Sequence, residues 1–92
     1  MISGSRHRGL ERLFEKGDGR RIPPGLIAKV ERVLARLDVA AKPEAMNLPG
    51  WRLHPLKGDR VGYWAVKVSA NWRVVFCFDG GNVRDVDLTD YH

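Results

Sequence analysis

The chain has 92 residues, of which 43% are hydrophobic and 29% charged, with one cysteine and a net charge of +5. This composition excludes an internal disulfide and an intrinsically disordered chain, and no apolar run approaches the roughly 20 residues of a membrane-spanning helix. Because a chain this short can build only one modest core, residues 1–92 are expected to form one domain. No apolar stretch follows the N-terminal charges, so a cytoplasmic location is expected.

The positive charge is concentrated in the first part of the chain. Residues 1–36 hold nine of the 16 Lys and Arg residues and four of the 11 Asp and Glu residues, which leaves seven of each sign in residues 37–92. Such polarity favours a polyanionic partner or an acidic protein partner.

Two helices are predicted before residue 40. Residues 6–16 place Leu10, Leu13 and Phe14 at helical spacing, and the apolar residues from Leu26 to Leu37 follow the 3.6-residue period over three turns. The solvent side of the second helix carries a basic stripe, either a solvated face or a contact surface, formed by Lys29, Arg32 and Arg36.

The second half of the chain alternates with period two, which is typical of strands. Strands are predicted at 51–56, 62–68, 72–78 and 83–89. Their short connections imply antiparallel neighbours. The sequence therefore predicts an α+β fold in which two N-terminal helices cover one face of a mainly antiparallel sheet of four to five strands. Function is expected on the open face.

Polar residues on the predicted strands are the candidates for chemistry. Arg73 projects opposite the aromatic row that begins at Trp72, and Arg52 and His54 share one side of the first strand. Arg73 either serves a site or pairs with an aspartate of the last strand. His54 either serves a site or is satisfied by a backbone carbonyl. Aromatic side chains on alternating strands usually pack inward, so the core is expected to hold Trp51, Trp64 and Trp72.

Familiar enzyme motifs are missing from the sequence. There is no P-loop, no nucleophile elbow and no cysteine array for zinc. A metal site would have to combine His54, His92, Asp90 and His7, whose spacing matches no standard ligand pattern, so neither a metal nor a cofactor is expected. The final residues, Asp90, Tyr91 and His92, form either a polar tail or, if the last strand is paired, a segment held at the sheet edge.

Several segments occur in a characteristic order along the chain. In the second half they are LPGWRLHPLKGDR (48–60), GYWAVKV (62–68), NWRVVF (71–76) and DVDLTDYH (85–92). In the first half they are GLERLFEKG (9–17) and LARLDVA (34–40). In this order the segments resemble the HigB-type toxins of the RelE superfamily. The second half is covered nearly end to end, so the resemblance is specific.

This resemblance implies a RelE-like fold and a ribosome-dependent endoribonuclease that cuts messenger RNA and is neutralised by a cognate antitoxin, expected to be of the helix-turn-helix type. The toxin is expected to be a monomer when free and part of a hetero-oligomer with the antitoxin. The implied catalytic residues are His54, Arg73, Asp90, Tyr91 and His92. The expected phosphate contacts are Lys57, Arg52 and Arg60, and the basic stripe becomes a candidate contact for the ribosome or the antitoxin.

RNA can be cleaved without a metal when its own 2′-hydroxyl attacks the adjacent phosphate. Histidine suits both proton transfers because its ordinary pKa lies near 6.5. His54 and His92 are expected to act as base and acid, in an order the sequence leaves open. Asp90 would orient a histidine, Arg73 would stabilise the phosphorane, and Tyr91 would stack on a base or donate a hydrogen bond.

Two other functions fit the same residues. One is a non-catalytic toxin of the same fold that inhibits a protein target such as gyrase. The other is an RNA-binding module that acts through its basic helix. Neither needs His54 or the terminal Asp-Tyr-His.

Overall fold

The fold consists of two helices followed by a four-stranded antiparallel sheet. The computed structural model describes residues 1–90, so the predictions for Tyr91 and His92 lie outside the described residues. The strands follow each other across the sheet in chain order, which confirms the predicted α+β fold. The elements are α1 (Arg8–Lys16), α2 (Ile27–Val39), β1 (His54–Pro55), β2 (Tyr63–Lys67), β3 (Trp72–Asp79) and β4 (Asn82–Asp90). Neither helix is long and apolar enough to cross a membrane.

Local signals set the helix ends. The backbone N–H of Leu10 donates to Nδ1 of His7, which caps the start of α1, and Gly17 ends that helix in the left-handed conformation (φ +68°). A short 3₁₀ turn, Pro24–Leu26, leads into α2. Both helices lie close to their predicted positions.

The core lies between the helices and one face of the sheet. Leu10 and Leu13 of α1 pack there together with the apolar face of α2, which buries Val30, Val33, Leu34 and Leu37. The sheet contributes Val66, Val74, Phe76 and Leu88. Trp51 is 3% exposed within this core, and Trp64 and Trp72 are half-buried against it, as predicted. The other face of the sheet is left uncovered by the helices.

The predicted strand at 51–56 is wrong in extent. The regular strand pairing of this segment with β2 comprises His54 and Pro55, opposite Ala65 and Trp64. Arg52 has a left-handed backbone (φ +51°), which interrupts the extended conformation. Arg52 and His54 therefore do not share a side through regular strand alternation, contrary to the prediction.

A β-bulge at Asp85 shifts the register in β4. Val75 lies opposite Asp87, and Cys77 lies opposite Arg84, so β4 holds one extra residue between these pairs. Asp85 adopts the left-handed conformation (φ +55°) that such a bulge can require. Because of the extra residue, Val83 and Val86 are both buried in the core although they are three residues apart. Asp85 and Asp87 are then both available to the open face.

The N-terminal segment runs alongside β4 in parallel orientation. Ile2 and Ser5 form isolated bridges with Val83 and Val86. The N–H of Ile2 donates to a carboxylate oxygen of Asp38, at 3.0 Å, which ties this segment to α2. The segment brings Arg6 to the open face of the sheet.

Candidate functional site

A basic pocket of about 200 Å³ lies on the open face of the sheet. Four of its lining residues carry nitrogen side chains, and they come from three parts of the chain: His54, Lys57, Arg60 and Arg73. The remaining lining is formed by Leu56, Ala65, Val75 and Thr89. Among residues 1–90, the lining includes no carboxylate, so the pocket suits an anion such as a phosphate.

Strand pairing explains why these side chains meet. Residues directly opposite each other in antiparallel strands point to the same face. His54 of β1 lies opposite Ala65 of β2, which in turn lies opposite Val75 of β3. Arg73 lies opposite Thr89 of β4, one row further along. Rows are separated by two residues, roughly 6.7 Å along a strand. The pocket thus collects residues from positions 54 to 89 of the chain.

His54 is half-buried, and its ring is held by the main chain. Its Nδ1 lies 3.0 Å from the carbonyl oxygen of Arg52. A carbonyl can only accept a hydrogen bond, so Nδ1 carries a proton in this arrangement. In neutral histidine, Nε2 is then the nitrogen with the lone pair. A backbone carbonyl was the alternative partner predicted for His54 from the sequence, and the Arg52 carbonyl is such a partner. It forms a hydrogen bond with Nδ1 and does not involve Nε2.

Arg73 is half-buried and anchored to the loop before its strand. Its Nη1 donates to the carbonyl oxygens of Ser69 at 3.2 Å and Trp72 at 3.3 Å. These two bonds use two of the five N–H donors of a guanidinium and fix its plane. Asp85, one of the aspartates considered as a partner for Arg73, instead pairs with Arg6 and Arg84.

The predicted phosphate contacts divide into two groups. Lys57 precedes the 3₁₀ turn Gly58–Arg60, and Arg60 is the last residue of that turn. Both residues are exposed and line the basic pocket. Arg52 is also exposed but is not among the residues that line the pocket. Its contact with His54 is made by its main-chain carbonyl.

Asp90 ends β4 on a different row from the pocket. It lies opposite Trp72, whose side chain packs against the core, whereas its neighbour Thr89 lies opposite Arg73 on the open face. Alternation therefore starts the Asp90 side chain on the other side of the sheet from Arg73. The catalytic roles of Asp90, Tyr91 and His92 stay predictions.

The basic stripe of α2 lies in the helix layer, away from the open face. The Lys29 ammonium lies 5.6 Å from the ring centroid of Trp51, a cation–π distance. Nε of Arg36 donates to the carbonyl of Ala45 at 3.0 Å. Arg32 is exposed. Two of the three cations are therefore partly engaged by the chain itself, and a role of the stripe in binding the ribosome or antitoxin stays a prediction.

A second pocket, of about 120 Å³, adjoins the basic pocket and shares Arg60 and Val75 with it. Its other lining residues are Arg6, Asp59, Tyr63, Asp85 and Asp87. Sequence patterns did not indicate it, because the bulge at Asp85 and the course of the N-terminal segment create it. The one visible signal is that Val83 and Val86 are three residues apart, which breaks the alternation of β4.

Asp85 is the centre of a charged network in the second pocket. The hydroxyl of Tyr63 donates to Oδ2 of Asp85 at 2.7 Å, Nη1 of Arg84 lies 2.8 Å from the same oxygen, and Nε of Arg6 lies 3.7 Å from Oδ1. The hydrogen bond from Tyr63, together with the two guanidiniums, lowers the pKa of Asp85. The same bond raises the pKa of Tyr63. Arg84 is thus part of this network.

The lowered pKa of Asp85 predicts a pH dependence of stability. Folded Asp85 binds fewer protons than unfolded Asp85, so the network stabilises the fold fully above the unfolded aspartate pKa of about 3.9. That contribution is lost as the pH falls through the lower, folded pKa. Urea unfolding at about pH 6 and about pH 3 should therefore show a smaller loss of unfolding free energy in Asp85→Asn than in the unsubstituted chain. Glu44→Gln, at an exposed position, is the matched control, and equal losses in all three proteins would contradict the prediction.

The described residues contain no group of three or more His, Cys, Asp or Glu side chains placed to hold a metal ion. Cys77 is buried in β3 and has a free thiol.

Comparison with known proteins gives consistent results. Residues 4–92 match the HigB-like toxin family, described as the RelE-like toxin of type II toxin–antitoxin system HigB. The Endoribonuclease HigB of Proteus vulgaris is 40% identical over 92 residues, which is 100% of both chains. Similar solved structures include a YafQ mutant from E. coli, with 18% identity, a TM-score of 0.63 and coverage of 98% of this chain and 91% of that chain. A YoeB dimer from Staphylococcus aureus has 15% identity, a TM-score of 0.63 and coverage of 99% and 94%.

The two kinds of comparison support different statements. At such low identity, the solved structures show a shared fold. The family match includes nearly every residue of the chain, and the relative from Proteus vulgaris aligns over the full length. The protein therefore belongs to the HigB-like family of RelE-like toxins of type II toxin–antitoxin systems.

Proposed function

We propose that this toxin is an endoribonuclease that cuts messenger RNA on the ribosome and thereby blocks translation. The observation that carries the proposal is the basic pocket, where one histidine and three cations converge on the open face of the sheet. The relative that is 40% identical over the full length is named an endoribonuclease, which supports the same activity here. In this proposal residues 1–92 act as one toxin domain.

Cleavage begins when the 2′-hydroxyl of the RNA attacks the adjacent phosphate. His54 takes the proton from that hydroxyl through Nε2, since Nδ1 already donates to the Arg52 carbonyl. The new P–O bond forms as the bond to the 5′-oxygen of the next nucleotide breaks, which leaves a 2′,3′-cyclic phosphate. The leaving 5′-oxygen needs a proton, and His92 is the proposed donor. Asp90 and Tyr91 are the proposed partners for orienting a histidine and for contacting a base.

Charge on the phosphate increases as the phosphorane forms, so fixed cations stabilise it more than they stabilise the bound substrate. Arg73 is suited to this role because two backbone carbonyls hold its guanidinium at the pocket. Lys57 and Arg60 are exposed at the rim and bind the phosphates of the messenger. No metal ion enters this scheme.

Dependence on the ribosome follows if the pocket alone orients RNA poorly. The pocket is open and small, at about 200 Å³, and cannot enclose several nucleotides. The ribosome would hold the messenger in a cleavable geometry, and the toxin would supply the catalytic groups. The basic stripe of α2 would contact ribosomal RNA or a cognate antitoxin, proposed to be of the helix-turn-helix type. The toxin would act in the cytoplasm, as a monomer when free and in a hetero-oligomer when neutralised.

Mapping of messenger 5′ ends in a purified translation reaction tests the proposal. The unsubstituted toxin should produce discrete cuts when ribosomes are present and none on the same messenger without them. Intact messenger in every reaction, with translation nevertheless inhibited, would point to a non-catalytic toxin. Cuts that form equally well without ribosomes would leave the ribonuclease but remove the dependence on the ribosome.

A further inference from the structure

The main chain of Arg52 does not pair with β2 in the register that β1 sets. His54 pairs with Ala65, and the N–H of Leu56 donates to the carbonyl of Tyr63, which sets the register of β1 against β2. Continuing that register would bring the Lys67 N–H to the Arg52 carbonyl. The Lys67 N–H instead donates to the carbonyl of Trp51, at 2.7 Å. The shift of one residue releases the Arg52 carbonyl from the sheet.

The released carbonyl accepts the hydrogen bond of the His54 ring. The distance from Nδ1 to this oxygen is 3.0 Å. The shift is accommodated by the left-handed conformation of Arg52, with φ of +51°. For a residue with a Cβ such a conformation is strained and persists only where the surroundings impose it. Here the buried Trp51 and the paired His54 fix the chain on either side.

The hydrogen bond selects one tautomer of the ring. Free neutral histidine favours the form with the proton on Nε2, which would leave Nδ1 as the acceptor. An oxygen that can only accept, placed at Nδ1, reverses this preference and leaves the lone pair on Nε2. A general base must present that lone pair to the proton it removes.

We propose that Arg52 positions His54 through its main chain: the left-handed conformation directs the Arg52 carbonyl to Nδ1 and makes Nε2 the general base. The inference rests on the proposed function, because it assigns the base of that reaction. The positioning role belongs to the main chain of Arg52. The Arg52 side chain is exposed and does not line the basic pocket, and the phosphate contact expected of that side chain stays a prediction. Arg52 is a positioning residue in this proposal.

A series of substitutions separates the main-chain role from a side-chain role. Arg52→Gly, Arg52→Asn, Arg52→Ala and Arg52→Val all remove the same positive charge, but they differ in how readily they adopt positive φ. Glycine adopts it without cost, asparagine tolerates it, and a β-branched valine strongly resists it. Cleavage of ribosome-bound messenger should therefore decrease in that order. The Val variant should be about 10–100-fold slower than the Gly variant, a part of the 10²–10⁴-fold that a general base contributes.

The tautomer is read independently of cleavage by ¹⁵N NMR of the ring nitrogens in the free, folded toxin at a pH where His54 is neutral. The unsubstituted, Gly and Asn proteins should show a protonated Nδ1, and Val should shift the population toward a protonated Nε2. Circular dichroism checks that each variant is folded, and Ala replaces Val in the comparison if Val does not fold.

The outcomes distinguish the inference from the function on which it rests. Equal losses of cleavage in all variants, with an unchanged tautomer, would overturn the positioning role and favour a phosphate contact by the side chain. A toxin that cuts no messenger, even unsubstituted, would overturn the proposed function and the catalytic part of the inference together. Cleavage that follows the order Gly, Asn, Ala, Val, with the matching tautomer change, would support both.

Discussion

His54→Ala is expected to slow messenger cleavage by about 10²–10⁴-fold, the usual contribution of a general base. The alanine removes the Nε2 lone pair, and the three cations of the pocket remain to bind phosphate. The substitution should therefore lower the rate of the chemical step far more than the affinity for ribosomes. Single-turnover cleavage of one programmed messenger, with toxin in excess, measures that rate directly.

The chain offers a second described histidine as a control. His7 lies at the start of α1, where its Nδ1 accepts from the Leu10 N–H. Asparagine can cap a helix in the same way, so His7→Asn should keep both the fold and the cleavage rate. If His54→Ala cleaved as fast as His7→Asn, His54 would not be the base. A loss of ribosome binding in His54→Ala would indicate a contact role instead.

Arg73→Ala is expected to have the second largest effect, a decrease in the cleavage rate of about 10²–10³-fold, comparable to the loss of one fixed donor to a developing oxyanion. The guanidinium is held by the carbonyls of Ser69 and Trp72, so it needs little reorganisation when charge develops on the phosphorane. Arg73→Lys keeps the charge and loses the planar fork, and should recover only part of the rate. The same single-turnover assay, combined with ribosome binding, measures both variants.

A matched arginine lies outside the site. Arg20 is paired with Asp18 in the loop after α1, at 2.8 Å, and its side chain is 83% exposed. Arg20→Ala removes the same charge and should leave the cleavage rate unchanged. If Arg73→Lys restored the full rate, the role of Arg73 would be that of a point charge rather than of an oriented donor. Melting curves of Arg73→Ala check that its bonds to the loop are not needed for folding.

Sequence patterns were most informative where one face of an element is buried. The apolar period of α2 and the alternation of β3 correspond to side chains that are buried in the core. Helix bounds and most strand bounds were predicted closely for this reason. Strand patterns made His54 and Arg73 candidates, the resemblance to HigB-type toxins added Lys57 and Arg60, and the structure brings all four to one pocket.

Patterns failed where the backbone leaves regular geometry. Nothing in residues 51–56 indicates that Arg52 adopts positive φ, because arginine has no preference for that conformation. The bulge at Asp85 was also missed, although the three-residue spacing of Val83 and Val86 breaks the alternation, and with it the network that joins Tyr63, Arg6 and Arg84 to this carboxylate. Both features depend on the register of hydrogen bonds with a neighbouring strand, which is a long-range property of the sheet.

Sequence patterns alone predict the two helices and the antiparallel order of the strands, since periodicity and short connections are local properties that hydrophobic burial enforces. The residues of the site were predicted from polar positions on the strands together with the resemblance to HigB-type toxins. How those residues are arranged depends on the tertiary structure. It placed Asp90 and Arg73 on different rows, held α2 and its basic stripe in the layer opposite the open face, and turned the main chain of Arg52 toward His54. The physical reason is that register shifts and left-handed residues are stabilised by long-range hydrogen bonds and packing, which no local pattern contains.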